Sequence, residues 1–191
     1  MKNLICVSAP SGSGKTTLCK HVREVKRELV WSLSYTTRSP RPNEVNGEDY
    51  NFITQKEFIS LKDNEEFAEW ENVHGQYYGT IKSQLDEAIL NDKIVLLELD
   101  VNGTMSIREL YSEQSHSIFI VPPSVDDLRD RLIKRGSETN KSIEKRLERF
   151  NKEMECKDRF DTLLINDNIQ VAINDFIMII NELTKGKNNG N

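Results

Sequence analysis

Residues 8–17 read SAPSGSGKTT, a composition suited to one kind of chemistry, the holding of phosphate. Glycines let backbone N–H groups turn toward anionic oxygens, a lysine adds charge on a long arm, and a hydroxyl offers a hard oxygen to Mg2+. On this reading Gly12 and Gly14 shape the loop, Lys15 reaches the β- and γ-phosphates of ATP, and Thr16 ligates Mg2+. Ala9, Pro10, Ser11, Ser13 and Thr17 complete the cradle. The strict pattern G-x-x-x-x-G-K-[ST] has glycine where this chain has Ala9, so Ala9 must occupy a backbone geometry that a Cβ tolerates. A plain Ser/Gly-rich turn is the bland alternative.

A second anion site is written into SLSYTTRSPRPNEVNGEDYNF, residues 32–52. Arg38 and Arg41 lie three apart in a proline-pinned loop, and Tyr50 follows. Two guanidinium forks and a phenol hydroxyl can clamp a phosphate dianion, and a second anion site besides the ATP loop means a phosphorylated acceptor. The same pair also fits two solvated loop arginines. Glu98 and Asp100 end an apolar run, and period-two geometry keeps them on one face. Helix N-cap acids are the bland reading of that pair.

The elements that must position these groups follow from periodicity. Leu4–Ser8 is a buried strand entering the phosphate loop, and 15–29 is helical with Leu18, Val22 and Val25 on one face. Residues 31–37 alternate as a strand, 55–64 and 81–90 read as helices, and 67–78 is β-like, with Phe67, Glu69, Glu71 and Val73 in alternation. Strands at 94–97, 117–121 and 163–165 alternate with helices at 104–111 and 171–183. Strands alternating with helices predict an α/β fold, a parallel sheet covered on both faces. Two segments break the rhythm. Residues 34–83 are loopy and β-rich, with five Lys and Arg against nine Asp and Glu; 124–150 is helical, with eight Lys and Arg against six Asp and Glu. The expected division is a core of 1–33, 84–123 and 151–185, interrupted by 34–83 and by 124–150, with a polar tail at 186–191, expected to fray.

The 191 residues are 37% hydrophobic and 30% charged, with a net charge of −5. A net-acidic chain argues against broad non-specific binding to nucleic acid or anionic membrane. The three cysteines, Cys6, Cys19 and Cys156, are too far apart for a CxxC zinc cage and point to a reducing, cytoplasmic setting. The opening segment is too short in apolar residues for a signal peptide or membrane span.

Taken in order, SAPSGSGKT, SYTTRSPRPNEVNGEDYNF, Glu69, YYGT, ELDVNG, VPPS and the R-x-x-x-RG of Arg131–Gly136 resemble the guanylate kinases, over about residues 4–183. The resemblance implies a P-loop fold with an inserted GMP-binding lobe at 34–83 and a helical lid at 124–150, and transfer of the ATP γ-phosphoryl group to GMP. By position it implies that Ser34, Glu69 and Asp100 hold the guanine base, and that Thr80 also belongs to the GMP site. Arg38, Arg41, Tyr50 and Tyr78 would hold the GMP phosphate. Lys15, Arg135 and Arg146 would serve the transferring phosphoryl, and Arg131 would serve ATP. The base chemistry agrees: a carboxylate such as Glu69 accepts from guanine N1–H and the 2-amino group, and Ser34 donates to O6. Two departures stand out. Glu98 replaces the family's usual aspartate, which gives it a longer reach toward the metal or its waters, and Asn102–Gly103 stands where Gln-Gly is common. The substrates implied are ATP and GMP, with dGMP a further acceptor, Mg2+ as cofactor, no nucleic acid or membrane partner, and a homo-oligomer left open. The alternatives are a non-catalytic guanylate-kinase-like binding module, which would have lost the phosphate loop, or a related kinase for another phosphorylated small molecule.

Overall fold

A computed structural model of the chain describes residues 2–10, 12–73, 75–122, 124, 129, 133, 147 and 150–184. Arg131, Arg135, Arg146 and Ser11 lie outside the described residues, as does most of the 124–150 segment.

The core sheet joins β1 (Leu4–Ser8), β2 (Val30–Trp31), β7 (Val95–Glu98), β8 (Ser115–Val121) and β9 (Thr162–Ile165) in the order β2-β7-β1-β8-β9. Every pairing in it is parallel. All five residues of β1 are buried, as a central strand covered on both faces requires. Period two divides them. Ile5 and Val7 pack with Leu18 and Val22 of α1 (Lys15–Val25) and Phe176 of α5 (Ile169–Thr184). Leu4 and Cys6 pack with Leu85 of α3 (Lys82–Leu90) and Ile107 of α4 (Val101–Leu110). The chain leaves β1 toward β2 on one side and leaves β7 toward β8 on the other. The carboxyl end of β1 is therefore the point where strand order reverses, the usual ligand crevice of an open parallel sheet.

A second sheet has the order β4-β3-β6-β5, from β3 (Tyr35–Thr36), β4 (Asn51–Phe52), β5 (Phe67–Val73) and β6 (Gln76–Ile81). Strand β3 pairs parallel with β4 and antiparallel with β6. Helix α2 (Gln55–Asp63) starts at Thr54, whose side chain and that of Glu57 form a reciprocal capping box. Its Phe58 stacks on Phe67 and Tyr77 and anchors the helix on this sheet.

Three expectations need correction. The strand expected at 31–37 is two short strands in different sheets, because the chain crosses between sheets at Ser32–Ser34. The β-like run 67–78 is a hairpin, with Gly75 at φ 81 in the turn. A register shift between Phe67 and Glu69 sets Glu69 opposite Thr80. Helix α4 begins three residues before the expected Thr104, because the Asp100 side chain caps it by accepting from Gly103 N.

Candidate active site

The phosphate loop follows β1 and opens α1, as its composition requires. Gly12 and Gly14 sit at φ 90 and 87, in the left-handed region that favours glycine. Ala9 is not among the residues at positive φ, which is why a methyl group replaces the pattern's first glycine without strain. The Ser13 hydroxyl is buried with no hydrogen-bond partner among the described residues. Its carbonyl accepts from Asn166 Nδ2 at 2.7 Å. A Cβ on Gly14 would stand 2.6 Å from that same amide nitrogen, so Gly14 is required both by its φ and by Asn166. Sequence reading misses Asn166, which lies 153 residues away. Its one signal is position: it directly follows β9, at the same end of the sheet as the loop.

Lys15 Nζ donates to the Leu99 carbonyl at 2.8 Å. Thr16 Oγ1 donates to Glu98 Oε2 at 3.2 Å. Burial raises the Glu98 carboxyl above its ordinary range, opposed by the Lys15 charge and the Thr16 hydrogen bond. A hydroxyl and a carboxylate oxygen side by side, at the mouth of a phosphate loop, make the hard-oxygen donor set that Mg2+ takes together with phosphates. The two acids of the 98–100 pair thus part ways: Glu98 faces Thr16, and Asp100 is a helix cap.

The acceptor residues gather in two groups. In the first, Arg38 Nη1 and Nη2 donate to Glu44 Oε2 and Oε1 at 2.8 and 2.9 Å. The guanidinium carbon stands 5.4 Å from the Tyr50 ring centroid, and Tyr50 meets Tyr78 edge-on. Arg41 is exposed, 3.7 Å from Glu44. In the second group, Glu69 is 8% exposed and its Oε1 accepts from Thr80 Oγ1 at 2.6 Å. Burial, with Asp100 and Glu71 nearby, pushes the Glu69 carboxyl up to about 7, against the Thr80 hydrogen bond. The Glu69 carboxylate passes over Gly103, where a Cβ would stand 2.8 Å from Oε2. Sequence reading misses Gly103 as the floor under Glu69.

Both sides contribute to one cavity of about 200 Å³, though Lys15, Arg38, Glu69, Tyr78, Thr80 and Asp100 are not among its described lining residues. Thr16 and Glu98 line it from the phosphate side, and Ser34, Arg41, Glu44 and Tyr50 from the other. Lys20 and Arg23 of α1 also face it, and no motif in the sequence marks either of them. A larger cavity of about 410 Å³ opens near Lys2, Arg108 and His116, at the amino ends of the strands, and holds none of the expected site residues.

The guanylate kinase family model matches residues 1–183. A guanylate kinase of Thermotoga maritima is 40% identical over 177 residues, 93% of this chain and 85% of that protein. One from Prochlorococcus marinus is 42% identical over 170 residues, covering 89% and 92%. The crystal structure of guanylate kinase from Anaplasma phagocytophilum superposes with a TM-score of 0.78 at 27% identity, over 95% of this chain and 85% of that one. With a phosphate loop at the sheet's switch point, an arginine-lined acceptor side and relatives matching along nearly its whole length, the chain belongs to the guanylate kinase family.

Proposed function

We propose how this chain carries out the family's reaction, transfer of the γ-phosphoryl group of ATP to GMP, giving ADP and GDP. The observation that carries the reading is the single cavity lined by Thr16 and Glu98 on one side and by Ser34, Arg41 and Tyr50 on the other. A donor phosphate held at the first side and an acceptor phosphate at the second are brought into one enclosure.

The phosphate loop from Ala9 to Thr17 binds the ATP phosphates through backbone N–H groups, and the unpaired Ser13 hydroxyl is available to the same oxygens. Lys15 leaves the Leu99 carbonyl to neutralise the transferring group. Thr16 and Glu98 would hold Mg2+, directly or through its waters, and the ion would supply charge neutralisation to the phosphates. Arg38, Arg41, Tyr50 and Tyr78 hold the GMP phosphate. Glu69, supported by Thr80, accepts from guanine N1–H and the 2-amino group, and Ser34 donates to O6. Asp100, whose Oδ1 accepts from Gly103 N at 2.8 Å, keeps its second oxygen for the base. An oxygen of the GMP phosphate attacks the γ-phosphorus as the bond to the β–γ bridging oxygen breaks. No protein base is needed, because that acceptor oxygen is already ionised, and catalysis is positioning plus charge stabilisation. Arg131, Arg135 and Arg146 are assigned to the phosphoryl side on motif position alone.

The acceptor lobe in this reading is residues 34–83 and the lid 124–150. Among the described residues no helix is long and apolar enough to cross a membrane. Free, buried Cys6 and Cys19 support a reducing cytoplasm as the compartment. Coupled ADP-release assays with GMP, dGMP, AMP, UMP and CMP test the reading. A rate with GMP at least two decades above that with AMP is the expected result; equal rates would sink the guanine assignment.

A further inference from the structure

We infer that Glu44 is a positioning residue of the acceptor site, its carboxylate aiming the Arg38 and Arg41 guanidinium groups at the acceptor phosphate. This rests on the reading above, in which both arginines take that phosphate.

Segment 38–44 runs RSPRPNE with no strand or helix of its own. Backbone ladders therefore do not fix where its two cations point. Glu44 does this instead. Its Oε2 accepts from Arg38 Nη1 and from the Arg41 backbone N–H, both at 2.8 Å. Its Oε1 accepts from Arg38 Nη2 at 2.9 Å and lies 3.7 Å from Arg41 Nη1. One carboxylate thus sets the separation of two like charges that would otherwise repel.

The edge it takes matters. A guanidinium has five N–H donors in a rigid fork. Glu44 occupies the end-on pair, Nη1 and Nη2, and the Ser39 carbonyl takes a further donor of Nη1. The face of the fork lies over the rings of Tyr50 and Phe52, at 5.4 and 5.5 Å. The side-on edge, formed by Nε and the outer N–H of Nη2, is the one a phosphate takes in bidentate fashion. Arg38 is thereby held from its end and its face while its side edge serves the anion. Side-chain exposures of 17% for Arg38 and 15% for Glu44 make this a part-buried, directional pair, unlike an exposed surface bridge. Arg38 holds the Glu44 carboxyl below its ordinary range, so it is ionised at neutral pH.

Two roles for Glu44 predict opposite signs. A carboxylate beside a phosphate dianion repels it. If Glu44 only tempered the arginines' charge, removing it would tighten GMP; if it positions them, removing it weakens GMP.

The experiment measures kcat and both KM values for the full chain and for Glu44→Gln, Glu44→Ala, Arg38→Ala and the double variant. Glu44 lies in a loop and Gln keeps its shape, so folding is preserved. A small misplacement of a substrate-holding group costs one to two decades, so Glu44→Ala should raise the GMP KM about tenfold or more. Glu44→Gln, keeping one acceptor oxygen, should raise it about threefold. The ATP KM should stay within about twofold in both. In the Arg38→Ala background the same Glu44→Ala change should cost under about threefold, the remainder belonging to Arg41. An unchanged or lowered GMP KM in Glu44→Ala, with Arg38→Ala still impaired, overturns the inference alone. So does an equal rise in both KM values, or a full effect persisting without Arg38. An unimpaired Arg38→Ala overturns the acceptor reading itself.

Discussion

The phosphate side and the acceptor side of the cavity are built from different materials. On the phosphate side the chain's own backbone does the shaping: a fully buried strand, two left-handed glycines and a carbonyl held by Asn166. On the acceptor side the shaping belongs to side chains on the β5–β6 hairpin and a loop, held by polar partners: Glu44 under the arginines, Thr80 on Glu69, Asp100 on the α4 terminus. The difference fits the ligands proposed for the two sides. Triphosphate is recognised by charge and by a row of N–H groups, which any sequence supplies once its glycines permit the turn. A purine must be told from another purine, and that needs donors and acceptors at fixed places, backed by groups that leave no buried atom unpaired. Each side can be damaged separately.

The largest separation is expected for Lys15→Ala. Loss of charge on the transferring phosphoryl should lower kcat by about two to three decades, while calorimetry finds GMP affinity unchanged. A collapse of GMP affinity in this variant would mean that the two sides are not distinct.

Glu69→Gln is the counterpart on the acceptor side. One acceptor oxygen becomes a donor facing a guanine donor, so kcat/KM for GMP should fall by about one to three decades. ATP binding should hold and the AMP/GMP ratio should rise; an unchanged ratio removes Glu69 from the base site. The same residue sets a pH dependence. With its folded value near 7 and its ordinary value near 4.5, the native state holds a proton that the unfolded chain releases between those limits. Stability therefore falls as pH rises through that window, by a few kcal/mol at most, since each pH unit the window spans is worth about 1.4 kcal/mol. Glu69→Gln has no such proton to lose, so urea melts at pH 5 and pH 8 should show the variant gaining on the parent at the higher pH. Parallel changes would contradict it. Guanosine affinity, free of the phosphate's own titration, should weaken as pH drops below 7 in the parent and stay flat in the variant.

Asn166→Ala sharpens the phosphate side. Leaving the buried Ser13 carbonyl without its donor should cost about 1–3 kcal/mol, a drop in Tm of roughly 2–10 °C at this chain length, and it should raise the ATP KM more than the GMP KM. A KM change confined to GMP would break the assignment.

The smallest effect is expected for Gly103→Ala. Inside a helix alanine is favoured over glycine by up to about 1 kcal/mol, so Tm should hold or rise. The new methyl would press on Glu69 Oε2, so GMP kcat/KM should fall severalfold, about two- to tenfold, with ATP untouched. Full GMP activity would show that Glu69 moves freely.

Residues 8–17 carry their own context, an apolar strand before and a helical period after, so the phosphate loop and the parallel α/β core were legible by local rules. The arginine loop and its neighbours were legible as a motif. Period-two alternation put Glu69 on a strand, yet the register shift after Phe67 that sets it against Thr80 belongs to pairing between strands. Local alternation also merged β2 and β3 into one strand, since nothing within seven residues says that the chain changes sheets. Only the tertiary structure brought Asn166 to Ser13 and Gly103 beneath Glu69, because those contacts join parts of the chain that share no local period. Local sequence determines which residues can bend, cap or carry charge. Which of them meet is decided by how strands pair and helices pack, and there the partner of each buried polar atom is chosen.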